Sequence, residues 1–294
     1  MPRPISIRLS ELIDRAWEQY RGAFGTYLRV TAWLLVPGLL FIISLLLYPT
    51  ADTLFSGQGL TGLQLSGAIL YFTTYALILP LTALWAYVTM VQWSLARLRG
   101  GRKDLRASMR EGVRRLLPVL GATALLVLSI AAAYVGPLVP GFLLSLTIGH
   151  YDAAWMMVLR SLVLLIGVPA AFALAVYAFG VLQFAPVAVA AGDAKAAASL
   201  KESFRLVRGR FWGVLFRSLI AKGLFLLLGG VALWIAGSLL SAVTSLALPS
   251  SPFAALRLVT IIFSLLSWII VPMFVTPAVT LVDVNLYRSL KENV

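Results

Sequence analysis

The chain has 294 residues, 61% of them hydrophobic and only 12% charged, and a mean hydropathy of +0.94. That balance excludes an ordinary water-soluble domain, in which roughly a quarter of residues are charged. The absence of cysteine excludes disulfides, thiolate metal sites and cysteine nucleophiles, and leaves the formal net charge of +13 as the feature to be placed.

Six stretches contain no Asp, Glu, Lys, Arg or His, at 30–51, 53–96, 116–149, 161–192, 223–256 and 258–282. Each exceeds the roughly 20 apolar residues that a helix needs to cross the hydrocarbon. Ahead of the first, Leu12, Ile13, Ala16, Trp17, Tyr20 and Phe24 share a helical face, while Glu11, Asp14, Arg15, Glu18 and Arg21 lie opposite and Ser10 is placed to cap the start. This predicts an amphipathic helix that lies in the headgroup region or packs on the span ends. The first apolar run ends in Tyr48-Pro49-Thr50-Ala51 with no small-x-small cleavage pattern, so a retained span is expected and not a signal peptide. Spans are expected at 30–48, 67–95, 116–136, 162–184, 214–243 and 258–281. The even-numbered ones carry interior prolines, Pro80, Pro169, Pro272 and Pro277, which bend helices and either open a cavity or simply let long helices pack.

Twenty-two of the 24 Lys and Arg residues fall before the first span, in the connections after the second and fourth apolar runs with the entry to the fifth, and at the C-terminus. Only Arg160 and Arg257 fall elsewhere. Basic residues near helix ends stay on the cytoplasmic side, so both termini are expected there, in the plasma membrane, with an even number of spans. A nucleic-acid partner is not expected, because no cytoplasmic connection is long enough for a soluble basic module.

Three segments align without a gap from Ile13, Leu105 and Leu200, at spacings of 92 and 95 residues. Trp17, Met109 and Phe204 share one position, Phe24, Leu116 and Phe211 another, and Leu28, Leu120 and Leu215 a third. A period near 93 fits one amphipathic helix plus one transmembrane hairpin. The expected fold is therefore an all-α polytopic membrane bundle: one membrane domain, 1–294, of parallel repeat units at about 9–97, 103–190 and 195–292.

Two passages carry a resemblance. Ser203-Phe204-Arg205-Leu206-Val207-Arg208-Gly209-Arg210-Phe211-Trp212, after Ala185-Pro186-Val187, resembles the hallmark stretch of the glycerophosphoryl diester phosphodiesterase membrane domain and its stand-alone relatives. The tail from Leu281 to Glu292 is similar to that family's closing segment, with the order of Asp283 and Tyr287 reversed, and Leu9 to Trp17 is similar to its start. The resemblance implies a six-helix bacterial membrane domain. The soluble phosphodiesterase to which such domains are sometimes fused is not expected on this chain, and its chemistry is not carried over.

Few residues suit catalysis. The one histidine, His150, falls in a connection beside Tyr151 and Asp152, where a structural or interfacial role is expected, and no zincin, hydrolase-elbow, phosphate-loop or dinucleotide motif occurs. The expectation is a non-enzymatic protein with no metal or cofactor. Charges inside or beside spans are functional suspects because hydrocarbon penalises them: Arg217 and Lys222 at the start of the fifth span, and Asp283 at the end of the sixth, where it can pair with either. The clusters Arg106, Arg110, Arg114, Arg115 and Arg205, Arg208, Arg210 are placed to meet anionic headgroups. The expected partners are membrane lipids and a membrane or cytoplasmic protein. The alternative is a permease or channel for a small neutral solute or lipid, in which Thr73, Thr74, Thr82, Thr89, Gln92, Thr276 and Thr280 would face the path.

The orientation is directly checkable because the chain has no cysteine of its own. A membrane-impermeant maleimide should label His150→Cys in intact cells and Gly101→Cys only in inverted vesicles; the reverse pattern contradicts cytoplasmic termini.

Overall fold

The computed structural model describes residues 7–49, 53, 59–101, 104–148, 154–247 and 252–292, so His150 lies outside the described residues. Its helices in chain order are α1 (Leu9–Arg21), α2 (Phe24–Thr31), α3 (Leu35–Leu47), α4 (Gly62–Thr73), α5 (Leu79–Leu98), α6 (Leu105–Val135) and α7 (Val139–Ile148). They continue with α8 (Ala154–Leu182), α9 (Ala185–Ala191), α10 (Ala196–Val207), α11 (Phe211–Ala247), α12 (Pro252–Ile270) and α13 (Thr276–Lys291). No strand occurs among the described residues.

Six helical stretches are long and apolar enough to cross a membrane: Phe24–Leu47, Gly62–Leu98, Leu105–Leu146, Met157–Ala191, Phe211–Thr244 and Val259–Lys291. The protein is thus an all-α multi-pass membrane protein. Its helices overrun the expected spans, because backbone hydrogen bonding continues past the point where the side chains become charged. The third stretch runs for 42 residues, about 63 Å at 1.5 Å per residue, against about 30 Å of hydrocarbon. Residues 105–116 accordingly run into their span without a break, whereas Leu9–Arg21 and Ala196–Val207 are separate helices.

Prolines in two of the even spans meet wide turns. Over Thr74–Ile78 the Leu79 N–H bonds to the Thr74 carbonyl just ahead of Pro80, and over Val271–Val275 the Thr276 N–H bonds to the Val271 carbonyl just past Pro272. The extra residue in each turn makes room for a ring that lacks an N–H and would otherwise strike the carbonyl four residues back. Pro169 sits inside α8 with no such turn.

The chain forms two compact units. The larger comprises residues 7–116 and 216–288. In it α1 turns Leu12, Ala16 and Tyr20 inward and leaves Asp14, Arg15, Trp17, Glu18 and Arg21 exposed. The Tyr20 hydroxyl donates to the Met273 carbonyl at 2.9 Å, and burial pushes its phenol up to about 12, so it remains a donor at physiological pH. The Tyr27 and Ser94 hydroxyls share a hydrogen bond of 2.9 Å, and Arg288 Nη1 donates to the Leu98 carbonyl at 2.8 Å. Towards the other end, Phe41 lies 5.3 Å from Tyr71 and 6.1 Å from Trp268 by ring centroids.

The smaller unit contains residues 117–215 and 289–294. Ser203, within the stretch that carries the family resemblance, joins α10 to the break between α8 and α9. Its hydroxyl donates to the Val181 carbonyl at 2.7 Å and accepts from the Phe184 N–H at 3.2 Å. Gly192, at φ 83°, ends α9 in the left-handed conformation that a side chain would strain. Lys291 Nζ reaches Asp193 Oδ2 at 2.8 Å beside it.

In the larger unit α3 and α4 approach so closely at Gly67 that a Cβ there would come within 2.6 Å of the Leu47 carbonyl carbon. Gly67→Leu should therefore lower stability by about 1–3 kcal/mol, read as a lower melting temperature in detergent. Gly223→Ala, at a position with nothing within 4 Å, should leave it unchanged or raise it. Equal effects at the two sites would contradict the packing.

Candidate functional site

The arginines fall into two groups by unit. Arg106, Arg110, Arg114 and Arg115 belong to the larger unit and Arg205, Arg208 and Arg210 to the smaller. Within the first, Glu111 divides the set. Arg115 Nε lies 2.7 Å from Glu111 Oε1, at i,i+4 spacing, and Arg114 Nη1 lies 4.0 Å from Oε2. Arg106 and Arg110 are exposed and form no ion pair among the described residues. In the second group Arg205 Nη2 pairs with Glu202 Oε2 at 2.7 Å and Arg208 is exposed. Arg210 keeps its Nε and Nη1 buried without a hydrogen-bond partner.

Helical geometry gives the first group its context. Ser108 and Gly112 are buried on one side of α6, where a Cβ on Gly112 would run into the Thr89 hydroxyl and the Trp85 ring of α5. That contact turns the opposite side of α6 outward. Arg106, Arg110, Val113 and Leu117 repeat there at i, i+4, i+7 and i+11, with Val113 61% and Leu117 73% exposed.

Beside Val113 a groove of about 360 Å³ is lined by Trp33, Leu81, Thr82, Trp85, Val113 and Leu116. Two of its polar side chains are already engaged. Trp85 Nε1 donates to the Met109 carbonyl at 3.2 Å, and Thr82 Oγ1 donates to the Ile78 carbonyl at 2.7 Å. The Trp33 and Trp85 rings meet edge to face at 6.2 Å.

The structure brings Lys222 and Asp283 together: Nζ of α11 lies 2.5 Å from Oδ1 of α13, with side chains only 17% and 12% exposed. Tyr87 of α5 stands close enough to the Asp283 carboxylate to interact with its charge. Two residues on, Asn285 exchanges amide hydrogen bonds of 3.1 Å in both directions with Gln19 of α1, and its Nδ2 also donates to the Leu281 carbonyl at 2.9 Å. Arg217 lies on α11 five residues ahead of Lys222. The Gln19–Asn285 pair has no local signature, since 266 residues separate its members.

The hydroxyls that would line a solute path mostly turn back on their own helices. Thr82, Thr89, Thr276 and Thr280 donate to the carbonyls of Ile78, Trp85, Val271 and Thr276. Thr73 is exposed, Gln92 is buried, and Thr74 is buried in the wide turn with no hydrogen-bond partner for its hydroxyl. Among the described residues no group of three or more His, Cys, Asp or Glu side chains is arranged to hold a metal ion.

The Lys222–Asp283 pair makes a stability prediction. Removing one partner strands a charge in a low-dielectric setting at a cost of about 3–5 kcal/mol, whereas removing both removes the penalty as well. Lys222→Met and Asp283→Asn should each lower the melting temperature clearly, and the double variant should recover most of the loss. Additive losses in the double variant would contradict a coupled pair.

A family model described as "Domain of unknown function (DUF7847)" matches residues 18–290. This match lends no support to the glycerophosphoryl diester phosphodiesterase membrane domain in particular. No curated protein and no solved structure matches the chain. With the match covering both ends of the helical bundle, the chain belongs to the DUF7847 family.

Proposed function

We propose that this is a non-enzymatic plasma-membrane protein, with cytoplasmic termini, that engages anionic phospholipids through the arginines at its span ends. The observation that carries this reading is the outward side of α6. There Arg106, Arg110 and Arg114 share the helix with the exposed Val113, which lines an apolar groove with Trp33 and Trp85. A cationic turn followed by an apolar face is the complement of a phospholipid, whose phosphate lies at the headgroup level and whose chains run beside the helix. Each basic residue at such a surface contributes about 1 kcal/mol of attraction to anionic lipid.

The second reading, a permease for a small neutral solute, is less well supported, because four of the hydroxyls it would use already bond to their own helices. The likeness of the Ser203–Trp212 stretch to a phosphodiesterase membrane domain suits a membrane role and contributes no reaction.

The test is native mass spectrometry of the full chain released gently from its own membrane, compared with a variant carrying Ala at Arg106, Arg110, Arg114 and Arg115. The wild type should retain anionic phospholipid and the variant should lose it. Release of the wild type with no lipid, or with another polypeptide in its place, would overturn the proposal.

A further inference from the structure

We infer that the groove between Trp33, Trp85 and α6 holds one acyl chain of an anionic phospholipid whose phosphate is bound by Arg106 and Arg110, and not by the neighbouring Arg114 and Arg115. The inference rests on the lipid reading above and assigns it a place, an orientation and a division of labour among the arginines.

Electrostatics selects the arginines. Arg115 is held at 2.7 Å by Glu111, and Arg114 shares the same carboxylate at 4.0 Å, so one negative charge already offsets this pair. Arg106 and Arg110 stand one turn apart on the exposed side of the same helix, and neither guanidinium forms an ion pair among the described residues, the Asp104 carboxylate accepting from the Arg106 backbone N–H at 3.3 Å. Two guanidinium groups at i,i+4 spacing form a fork suited to a phosphodiester anion.

The lining of the groove selects the other half of the ligand. Tryptophan, leucine and valine make up its walls, the Trp85 N–H is engaged by the Met109 carbonyl, and the Thr82 hydroxyl is engaged by the Ile78 carbonyl. These two groups are thus occupied within the protein, whereas a hydrocarbon chain needs no hydrogen-bond partner. The two halves are in register. Val113, one of the residues that line the groove, follows Arg110 by three residues on the same side of α6, about 4.5 Å further along the axis at 1.5 Å per residue. A phosphate at Arg106 and Arg110 therefore places the start of its acyl chain at Val113 and directs it past Leu116 towards Trp85 and Trp33.

The test uses the purified full chain in vesicles of phosphatidylcholine with a trace of phosphatidylglycerol bearing a photoactivatable acyl chain. Selectivity is read as competition by unlabelled phosphatidylglycerol against phosphatidylcholine. Wild type should cross-link at the groove residues. Arg106→Ala with Arg110→Ala should weaken phosphatidylglycerol about 30-fold, from roughly fivefold per arginine. Arg114→Ala with Arg115→Ala should change it by less than about threefold on the same scale. Val113→Trp, at an exposed position where folding is not at stake, should displace the cross-links from the groove. If wild type selects phosphatidylglycerol but responds only to Arg114 and Arg115, or ignores Val113→Trp, this assignment is wrong and the broader lipid reading stands. If wild type does not prefer phosphatidylglycerol at all, both fall.

Discussion

Hydrocarbon offers no hydrogen-bond partner and no solvation for charge, and most of this structure follows from that. Every span is helical because only a helix bonds its own backbone along its length. Where proline interrupts that ladder, the turns at Thr74–Ile78 and Val271–Val275 widen and re-form it. Threonines inside spans bond backwards to carbonyls one turn away. Lys222 and Asp283, whose side chains are largely shielded, neutralise each other across two helices. The remaining charges collect where the spans end.

The same constraint explains why the architecture is legible in the sequence. In a chain so poor in charge, each interruption of the apolar pattern marks a boundary, and six uninterrupted runs placed the six spans. Scarcity also made the Lys222–Asp283 contact readable as one of two pairings, since Arg217 and Lys222 are the basic residues at the start of the fifth span. The i,i+4 spacing of Glu111 and Arg115 likewise carries a local signal for a pair that removes one arginine from a supposedly uniform cluster. Boundaries were less legible, because apolar content marks the hydrocarbon whereas hydrogen bonding marks the helix, and α6 extends well beyond its charge-free core.

What was not legible depends on packing between helices distant in sequence. Nothing in the residues around Trp33 indicates that Trp85 meets it edge to face, or that Gly112 brings α6 close enough to complete a groove with both. The amide exchange between Gln19 and Asn285 is equally remote. The bonds that Thr82 and Thr89 donate to the backbone carbonyls one turn behind them are likewise not marked in the sequence.

The proposed lipid site comes down to two guanidinium groups outside any ion pair among the described residues, set one turn above an apolar groove. Its most direct measurement is the dipolar coupling between lipid phosphorus and arginine guanidinium nitrogen, by solid-state NMR of the nitrogen-labelled chain in bilayers containing phosphatidylglycerol. The account predicts phosphorus dephasing of a guanidinium signal that disappears when Arg106 and Arg110 are replaced by lysine and persists when Arg114 and Arg115 are. Dephasing that is absent, or indifferent to Arg106 and Arg110, would contradict it.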